Sequence, residues 1–573
     1  MSATPTLRLN GAQVLVRLLE AEGVQQAFGL VGGKLAPLLQ AISQSRLQWT
    51  GVRHEAAAPM MAAAVHARSG GLALALAEMG PGSLNLAAGT GLARNNHLAL
   101  LLVTSNQHRA AAYPHRGMFM DLDTRAVLAP LTKWNAVVHD LRRLPELLRT
   151  ALRQALGGRP GPVHLDIPQD LLAETLDWPL ALLEVPPSAY RALHRPRPAA
   201  AAVQQAAALL AGARRPLLLA GGGVIAAGAE ASLQALARRL RAPLLPTQMA
   251  LGLVASSSPD FIGQGGLIAG PAVLQALRQA DVVLAVGCRF SSWLWDEQGP
   301  LVRSPQALIN LNIDEQALGQ PALHALALHG DAREGLQDLL QALENRSMSA
   351  DPDWLPGLRR LRQADEQQLQ QLADAPSAPG QAMHPAALAH AIGQALPDDA
   401  LVVYDGGHTT FWSNDLTPVH EPRSRFHDPG MSQLGFGLPY ALALKRLHPE
   451  RPVFNLTGDG SFGFTLQELD TARREGLAVV TVVHNNAAWG VIRAGQHKAG
   501  FEFGSGLAGT DHAAIARGFG CHGETVSRPE DLAPALQRAL ASGLPAVLDC
   551  ITRFEPHPCM PAFGAMNRAG FAL

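Results

Sequence analysis

The sequence predicts an α/β protein with three domains, each built on a doubly wound parallel sheet. Short apolar runs of strand length alternate with helical patterns along most of the chain, which is typical of helices packed on parallel sheets. Two stretches interrupt this alternation and have the composition of linkers: residues 184–201 are rich in proline, and residues 345–384 are polar. A chain of 573 residues can form three or four domains, each with its own core. We therefore expect domains at residues 1–184, 202–344 and 385–560, followed by a C-terminal tail at 561–573.

The apolar runs supply the strands that this division requires. In the first block they cover residues 27–31, 72–78 and 98–104, and in the last block they cover residues 401–404, 453–457, 478–483 and 546–549. Each run is followed by a glycine-rich or polar turn and then by a helical pattern, as expected for βα units.

Composition limits the classes of function. The formal net charge is -1 and the pI is near 7.1, so there is no basic footprint for nucleic acid. The four cysteines lack CxxC or metal-ligand spacing, and such a low count suits a reducing compartment. The N-terminus does not have the pattern of a secretory signal, and no uncharged apolar stretch is long enough to span a bilayer. We expect a soluble cytoplasmic protein that acts on small molecules and binds neither nucleic acid nor membranes.

The most informative segment lies between residues 453 and 490. The apolar run 453–457 ends in the turn Gly458-Asp459-Gly460-Ser461, a helical stretch follows and stops at Gly476, and the run 478–483 then ends in Asn485-Asn486. Two strands joined by one helix form a right-handed parallel unit, so both strands end at the same edge of the sheet. Asp459 and Asn486 should therefore share one crevice.

These residue types suit a magnesium diphosphate. Mg²⁺ prefers octahedral oxygen coordination by one or two protein side chains, phosphate oxygens and water. Asp459 offers a charged oxygen, Asn486 offers a neutral one, and the backbone carbonyl near Ala488 could be a third ligand. Glycines 458 and 460 allow close approach of an anion, and the helix N-terminus after Ser461 favours negative charge. The other interpretation is an ordinary tight turn, which the double asparagine makes less favourable.

This spacing resembles the thiamine diphosphate fingerprint, in which GDG is followed nearly thirty residues later by NN. The resemblance extends over nearly the whole chain, and it is to the acetolactate synthase-like group, which includes acetohydroxyacid synthases, oxalyl-CoA decarboxylase, 2-hydroxyacyl-CoA lyase and benzaldehyde lyase. It implies a pyrimidine-binding domain, a central domain of nucleotide-binding shape and a diphosphate-binding domain, in that order. It also implies thiamine diphosphate and Mg²⁺ as cofactors.

The resemblance identifies a candidate catalytic acid. In this family a glutamate after the second strand of the first domain stabilises the imino tautomer of the cofactor's aminopyrimidine, and Glu55 in Val52-Arg53-His54-Glu55 matches that position. Glu55 also stands at a strand end, where open α/β sheets bind ligands. Considered alone, a glutamate there could simply complement a helix dipole.

Further turns resemble cofactor-binding segments of the family. Gly406-Gly407-His408 resembles the diphosphate loop, although the family writes G-Q-H there, and Leu434 stands where a bulky apolar residue lies beneath the cofactor. The resemblance also makes Gly458, Asp459, Gly460, Ser461, Asn486, Trp489 and Gly490 candidate cofactor-binding residues. Candidate substrate-pocket residues are Gly33, His115, Phe119, Met120 and Arg493, with Arg493 a candidate carboxylate clamp.

The central block leaves its ligand open. Gly221-Gly222-Gly223 imitates a dinucleotide fingerprint, but no convincing acidic residue ends the next strand. Gly287-Cys288-Arg289-Phe290 resembles a flavin-contacting turn, while other parts of that pattern are not evident. Family members hold FAD, an ADP-type nucleotide or nothing in this domain, so FAD or a nucleotide remains an open possibility here.

The resemblance implies a 2-oxoacid decarboxylase or carboligase that forms a C2-carbanion and enamine on thiamine diphosphate. Two departures make branched-chain acetohydroxyacid synthesis doubtful: Met120 replaces a family glutamine, and Gly495 stands near the place of a selectivity tryptophan. The alternatives are a carbon-carbon lyase acting on a 2-hydroxy ketone, a 2-hydroxyacyl-CoA or oxalyl-CoA, a catalytically silent paralogue and, last, a nicotinamide oxidoreductase. Because the central domain separates the pyrimidine and diphosphate domains, we expect a homodimer with shared active sites, with a tetramer also possible.

Overall fold

The computed structural model describes residues 5–560 except residues 113, 267–268, 297–298, 304–305, 319–324, 377 and 379. The expected tail, 561–573, lies outside the described residues. Within the described part, strands and helices alternate and the main sheets are parallel, so the predicted three-domain α/β fold is confirmed.

The first region folds around one parallel sheet. Its strands are β1 (Thr6–Asn10), β2 (Gln26–Gly29), β3 (Gln48–Gly51), β4 (Leu74–Ala77), β5 (Leu101–Asn106), β6 (Trp134–Val137), β7 (Val163–Pro168) and β8 (Thr175–Pro179). Its helices are α1 (Gly11–Glu22), α2 (Ala36–Ser43), α3 (Ala57–Ser69), α4 (Pro81–Asn85), α5 (Ala87–Asn95), α6 (Arg109–Ala112), α7 (Thr124–Leu128), α8 (Leu144–Leu156), α9 (Gln169–Ala173) and α10 (Leu180–Leu183). The parallel strands run in the order β3-β2-β4-β5-β7-β6, and β1 pairs antiparallel with β8 beside them.

Local sequence signals explain the ends of the first helix. Asn10 and Gln13 form a reciprocal capping box at the start of α1. Gly23 ends the helix in the left-handed conformation, with φ +89°.

The third expected strand, 98–104, is displaced toward the C-terminus, because β5 begins at Leu101 after a left-handed residue at His97 with φ +57°.

The central region has a smaller sheet. Its strands are β9 (Pro216–Ala220), β10 (Leu244–Pro246), β11 (Val282–Val286), β12 (Trp295–Asp296), β13 (Gly299–Pro300), β14 (Ala307–Asn312) and β15 (Ala325–His329). Its helices are α11 (Ala200–Gly212), α12 (Gly222–Ala227), α13 (Glu230–Leu240), α14 (Pro271–Gln279) and α15 (Ala332–Leu343). The parallel strands run in the order β10-β9-β11-β14-β15, and β12 and β13 form a separate antiparallel pair.

The second polar stretch contains a long helix. Helix α16 (Trp354–Asp374) covers 21 residues of it. Its first turns bury Trp354 and Leu358 against the central sheet, whereas its last turns place Leu369 and Ala373 against the third region. This linker therefore joins two domains through apolar contacts at both of its ends.

The third region repeats the topology of the first. Its strands are β16 (Leu401–Asp405), β17 (Arg425–His427), β18 (Val453–Gly458), β19 (Val480–Asn485), β20 (His522–Val526) and β21 (Ala546–Ile551). Its helices are α17 (Pro385–Ala395), α18 (Gly407–Leu416), α19 (Gly437–Leu447), α20 (Asp459–Phe462), α21 (Glu468–Arg474), α22 (Gly490–Lys498), α23 (His512–Gly518) and α24 (Leu532–Ala541). The order β17-β16-β18-β19-β21-β20 matches the first sheet strand for strand. In both sheets the chain reverses direction across the sheet at the first strand, so a crevice opens beside β2 in one and beside β16 in the other.

The first and third regions share one apolar core. Met60 and Met61 of α3 belong to the same buried cluster as Tyr440 and Leu442 of α19.

Within the described residues, no helix is both long enough and apolar enough to cross a membrane.

Candidate active site

The turn after β18 and the turn after β19 lie side by side. The two strands pair in parallel, with Gly458 opposite His484, so Asp459 and Asn486 follow neighbouring strand ends at one edge of the sheet. This edge also carries Gly406, which follows β16 on the other side of β18. The structure thus places the metal-ligand and diphosphate candidates around the crevice where the strand order reverses.

Asp459 has an oxygen without a partner. Its side chain is buried, and its Oδ1 atom accepts a hydrogen bond from the Gly460 N–H at 2.8 Å. Its Oδ2 atom is buried and has no hydrogen-bond partner among the described residues. Burial raises the pKa of Asp459, against the opposing effect of backbone N–H groups at Gly460, Ala487 and Ala488. A buried carboxylate oxygen that lacks a partner fits a site that is completed by a cation.

The loop after β19 is held by hydrogen bonds to the segment 505–507. Ala487 has φ +51°, a turn that few non-glycine residues adopt. Its carbonyl accepts a hydrogen bond from the Leu507 N–H at 2.8 Å, and the Trp489 N–H donates to the Ser505 carbonyl at 2.9 Å. These two bonds anchor the backbone on either side of Ala488.

The amide of Asn486 is oriented within this loop. Its Oδ1 atom accepts a hydrogen bond from the Ala488 N–H at 3.1 Å. An amide oxygen has two lone pairs, so this contact leaves one available for a metal ion. Asn486 and Ala488 therefore lie on a loop that hydrogen bonds to residues 505 and 507 hold in place.

Close backbone packing forms the diphosphate cradle. Gly406 has φ +88°, and a side-chain carbon there would come within 2.8 Å of the Ser461 hydroxyl. A side-chain carbon on Gly407 would lie 2.6 Å from Val491, and one on Gly490 would lie 2.9 Å from His408. The glycines let α18, α20 and α22 converge at the edge of the sheet.

His408 is held as a neutral ring. Its Nε2 atom hydrogen-bonds the Glu555 carbonyl at 2.7 Å, and its ring stacks on Phe554 with centroids 5.8 Å apart. Burial lowers the pKa of His408 to about 4. At neutral pH the residue therefore contributes hydrogen bonding and shape to the cradle, not positive charge.

Two buried carboxylates shape the loop that carries Leu434. Asp405 accepts hydrogen bonds from the Gly435 and Gly437 N–H groups, both at 3.2 Å, on the C-terminal side of Leu434. Asp428 accepts the Met431 N–H at 3.0 Å on the other side. Asp428 also accepts a hydrogen bond from the amide nitrogen of Asn96, in the first region. The amide oxygen of Asn96 accepts a hydrogen bond from the Gly430 N–H at 3.0 Å. Neither carboxylate was predicted from the sequence, because the partners of Asp405 lie about 30 residues further along the chain and Asn96, a partner of Asp428, lies in the first region.

Glu55 lies in the turn before α3, at the corresponding edge of the first sheet. Its Oε2 atom accepts a hydrogen bond from the Asn85 amide at 2.9 Å. Its Oε1 atom lies against Gly82, where a side-chain carbon would be only 3.1 Å away. The segment Gly80–Asn85 therefore both orients the Glu55 carboxylate and leaves space beside it.

Four substrate-pocket candidates lie on the same edge of the first region. Phe119 is largely exposed, and the Lys34 ammonium, next to Gly33, lies over its ring at 5.7 Å from the centroid. Met120 adopts φ +64° and packs against the backbone of Gly80.

His115 is the fourth of these candidates. It pairs with Asp121, and Asp121 also accepts the Arg116 and Gly117 N–H groups at 2.9 and 2.8 Å. This residue thus helps to shape the loop that presents Phe119 and Met120.

Arg493 lies in the third region, on α22. Its guanidinium group pairs with Glu502 at 2.8 Å and lies over the Phe554 ring at 5.6 Å. Its Nε atom is buried and has no hydrogen-bond partner in the part of the chain that the structure describes. Because a guanidinium group has five N–H donors, Arg493 can bind a further carboxylate while it pairs with Glu502.

In the central region, the glycine turn packs against another turn of the protein. A side-chain carbon on Gly221 would come within 2.1 Å of the Gly287 carbonyl, so the Gly221–Gly223 turn packs directly on the turn after β11. Arg289 in that second turn donates to the Asn95 carbonyl at 2.9 Å. These glycines therefore have a packing role whether or not a nucleotide binds. Both polar ends of the buried Gln248 nearby lack partners among the described residues.

Family models match all three regions. The N-terminal thiamine pyrophosphate-binding domain of thiamine pyrophosphate enzymes matches residues 9–127, their central domain matches residues 203–339, and their C-terminal thiamine pyrophosphate-binding domain matches residues 405–550. The order of the three matches is the order that the resemblance implied.

Similar proteins share this organisation over nearly their full length. The probable 2-ketoarginine decarboxylase AruI of Pseudomonas aeruginosa is 34% identical over 545 residues, which is 94% of this chain and 92% of that protein. The acetolactate synthase large subunit of Corynebacterium glutamicum is 29% identical and covers 96% of this chain and 88% of its own length. The large subunit of acetolactate synthase isozyme 1 of Escherichia coli is 28% identical, with 98% and 97% covered. From its three matched domains and these relatives, the chain belongs to the thiamine pyrophosphate enzymes of the acetolactate synthase-like type.

Proposed function

We propose that this protein is a thiamine diphosphate- and Mg²⁺-dependent 2-oxoacid decarboxylase or carboligase. The observation that carries the metal assignment is the buried Oδ2 atom of Asp459, which lies beside the Asn486 loop and has no hydrogen-bond partner among the residues that the structure describes. Asp459, Asn486 and the backbone carbonyl of Ala488 would hold Mg²⁺, which binds phosphate oxygens as further ligands. Gly406, Gly407, His408, Ser461 and Gly490 would surround the diphosphate.

The protein's own residues then have distinct tasks. Bound thiamine diphosphate supplies a nucleophilic carbon and an electron sink for the bond that breaks next to a carbonyl group. Glu55 would hold a proton at the pyrimidine ring, with its carboxylate oriented by Asn85. Leu434 would support the cofactor from below, on a loop braced by Asp405. Trp489, which covers Gly460, would exclude water from the diphosphate end.

We propose a homodimer in which each active site uses residues of both chains. Several large apolar side chains are exposed in the first and third regions of one chain. In the first region these are Val31, Leu84, Met118 and Phe119, and in the third region they are Met431, Phe464, Ile492, Phe501 and Phe503. Such patches mark interfaces. Pairing of the first region of one chain with the third region of another would bury both patches and bring Glu55 to the Asp459 crevice. A dimer of such dimers, a tetramer, remains compatible with this.

The substrate pocket supports a 2-oxoacid. Arg493, whose Nε atom has no partner within the described part of the chain, offers a group for a carboxylate near the crevice. One relative is named for decarboxylation of 2-ketoarginine and two are named for acetolactate synthesis, and both reactions begin with a 2-oxoacid. The alternative function is a carbon-carbon lyase on a 2-hydroxy ketone, a 2-hydroxyacyl-CoA or oxalyl-CoA, which the half-open edge around Phe119 would accommodate. A catalytically silent paralogue is less favoured, because Glu55, Asp459 and Asn486 are all present.

A product screen tests the proposal directly. The protein, reconstituted with thiamine diphosphate and MgCl₂, is incubated with pyruvate, glyoxylate, 2-ketoarginine, benzoylformate, oxalyl-CoA and benzoin, and CO₂, aldehydes and hydroxy ketones are measured. Release of CO₂ from a 2-oxoacid, dependent on both cofactors, supports the proposal. Turnover of benzoin or oxalyl-CoA alone supports the lyase. Cofactor binding, seen by circular dichroism, without turnover of any compound supports the silent paralogue.

Two finer points are part of the same proposal. FAD or an ADP-type nucleotide could occupy the central region near the unpartnered amide of Gln248, and the absorbance spectrum and nucleotide content of the purified protein decide between them. A cytoplasmic location agrees with the four cysteines, all of which are free thiols.

A further inference from the structure

A buried glutamate of the third region binds the backbone just before Glu55. Glu468 lies in the first turn of α21, and its side chain has no exposed surface. Its carboxylate accepts the Arg53 N–H with both oxygens at 3.1 Å and the His54 N–H with Oε1 at 3.0 Å. The residue that follows His54 is Glu55.

These hydrogen bonds explain how the carboxylate of Glu468 can be buried. Burial raises the pKa of Glu468, and the Thr471 hydroxyl and the N–H groups of Arg53 and His54 oppose that rise. A buried carboxylate is costly unless hydrogen bonds replace its water. The N–H groups before Glu55 and the Glu468 carboxylate therefore satisfy each other, and loss of either leaves an unpartnered buried group.

The rest of α21 supports the same contact. The Thr471 hydroxyl, one turn along the helix, donates to Glu468 Oε2 at 2.6 Å and so fixes the direction of the carboxylate. Arg474, a turn further, donates to the Gly51 carbonyl at 2.5 Å. One face of α21 thus holds the chain from the end of β3 to the turn that carries Glu55.

We infer that Glu468 is a positioning residue for Glu55, acting from the third domain on the catalytic turn of the first. The inference rests on the proposed function, in which Glu55 exchanges a proton with the bound cofactor. Proton transfer requires the carboxylate within hydrogen-bond distance of its partner, and a displacement of about 1 Å can cost about 100-fold in rate. Glu468 fixes the position of the backbone of this turn, while Asn85 orients the carboxylate of Glu55.

Helix α21 also follows, in the same chain, the metal turn, which is the turn after β18 that carries Asp459. Asp459 lies in α20, and the chain passes directly from α20 to α21. In the proposed dimer Glu55 would serve the cofactor that the partner subunit holds. Glu468 would then connect the metal turn of one site to the proton-transfer group of the other.

The variant Glu468→Gln tests the positioning role. A glutamine keeps one acceptor oxygen but turns an NH₂ group toward a backbone N–H. In the cofactor-free protein we expect the amides of Arg53 and His54 to exchange hydrogen at least about tenfold faster. In the reconstituted protein we expect kcat to fall at least about tenfold. The dissociation constant for thiamine diphosphate with Mg²⁺, measured by quenching of tryptophan fluorescence, should change less than about threefold, because the Asp459 crevice is untouched.

An exposed glutamate outside α21 provides the matched control. The carboxylate of Glu530 lies 3.7 Å from the guanidinium group of Arg528 on the surface of the third region. Glu530→Gln makes the same change of side chain away from the turn, so amide exchange, kcat and cofactor affinity should stay unchanged. Wild-type exchange and wild-type kcat in Glu468→Gln would overturn the inference. Absence of cofactor-dependent turnover in the wild type would instead overturn the proposed function, and the exchange measurement would still decide whether Glu468 fixes the turn.

A second variant covers the case in which Glu468→Gln does not fold. Thr471→Val removes the hydroxyl that orients the carboxylate but leaves the carboxylate itself. We expect a smaller change of the same kind: faster exchange at the Arg53 and His54 amides and a severalfold lower kcat, with unchanged cofactor affinity. A folded Thr471→Val protein that shows neither change would contradict the inference.

Discussion

The ring of Trp489 lies directly over Gly460, so closely that a methyl group at position 460 would come within 2.6 Å of it. Trp489 also makes an edge contact with Phe464, with ring centroids 6.3 Å apart. The ring therefore has protein on more than one side and cannot retreat without disturbing its neighbours. This contact joins the loop after β19 to the metal turn after β18.

Replacement of Gly460 by alanine should therefore weaken cofactor binding. The methyl group would push Trp489 and the loop that carries Asn486 away from Asp459, so both metal ligands would lose their spacing. We expect affinity for thiamine diphosphate with Mg²⁺ to fall at least about tenfold, with the fold retained. Gly518→Ala is the control, because a side-chain carbon there meets no atom within 4 Å. Equal affinities for the two variants in a fluorescence titration would show that the contact does not control the crevice.

Removal of the charge at Asp459 should abolish the metal-dependent part of cofactor binding. Asp459→Asn keeps the shape but places a weaker ligand, or an NH₂ group, where the unpartnered Oδ2 atom now lies. We expect Mg²⁺ to no longer strengthen thiamine diphosphate binding in calorimetric titrations. Asp531→Asn, which changes a carboxylate that pairs with exposed Arg528 on the surface of the same region, should keep the wild-type Mg²⁺ dependence. A full Mg²⁺ response in Asp459→Asn would place the ion elsewhere.

Asp405 should make stability depend on pH. Burial raises the pKa of Asp405 from 3.8 to about 7, so between these pH values the folded state holds a proton that the unfolded state has lost. The contribution of this group is fully present below pH 3.8 and disappears as pH rises through 7. Its slope reaches about 1.4 kcal/mol per pH unit, with stability decreasing as pH increases.

The variant Asp405→Asn isolates that contribution. Other groups titrate alike in both proteins, so they cancel when the melting temperature of the variant is subtracted from that of the wild type. We expect this difference to fall by several degrees between pH 5 and pH 7.5. A difference that stays constant over this range would mean that Asp405 carries no shifted proton in the folded protein.

The extent to which the sequence predicts this molecule depends on how local each interaction is. Parallel pairing of β18 and β19 follows from two apolar runs separated by one helix, and it is enough to place Asp459 beside Asn486. Gly476 was predicted to end the intervening helix, and it follows α21 with φ +65°. These features need only neighbouring residues and the handedness of βαβ units.

Contacts between distant segments were beyond that reasoning. Glu468 was one polar position in an amphipathic helix, and nothing local shows that its partners are the N–H groups of residues 53 and 54. The same holds for Asp428, whose partner Asn96 belongs to another domain. The polar stretch 345–384 was interpreted as a linker, and its composition does not show that the two ends of the 21-residue helix α16 pack on different domains. Each of these depends on tertiary structure that periodicity does not encode.

Mixing two inactive variants should restore activity if sites are shared between chains. Chains carrying Glu55→Gln lack the proton-transfer group, and chains carrying Asp459→Asn lack the metal ligand. In a mixed dimer, one site would combine both changes and the other would combine the native Glu55 of one chain with the native Asp459 of the other. Equal mixing with random reassociation should therefore recover about a quarter of the wild-type activity. Each variant alone should stay inactive at any concentration, which serves as the control. If each site were built from a single chain, every site in the mixture would carry one of the changes, and a mixture no more active than its components would rule out the shared arrangement.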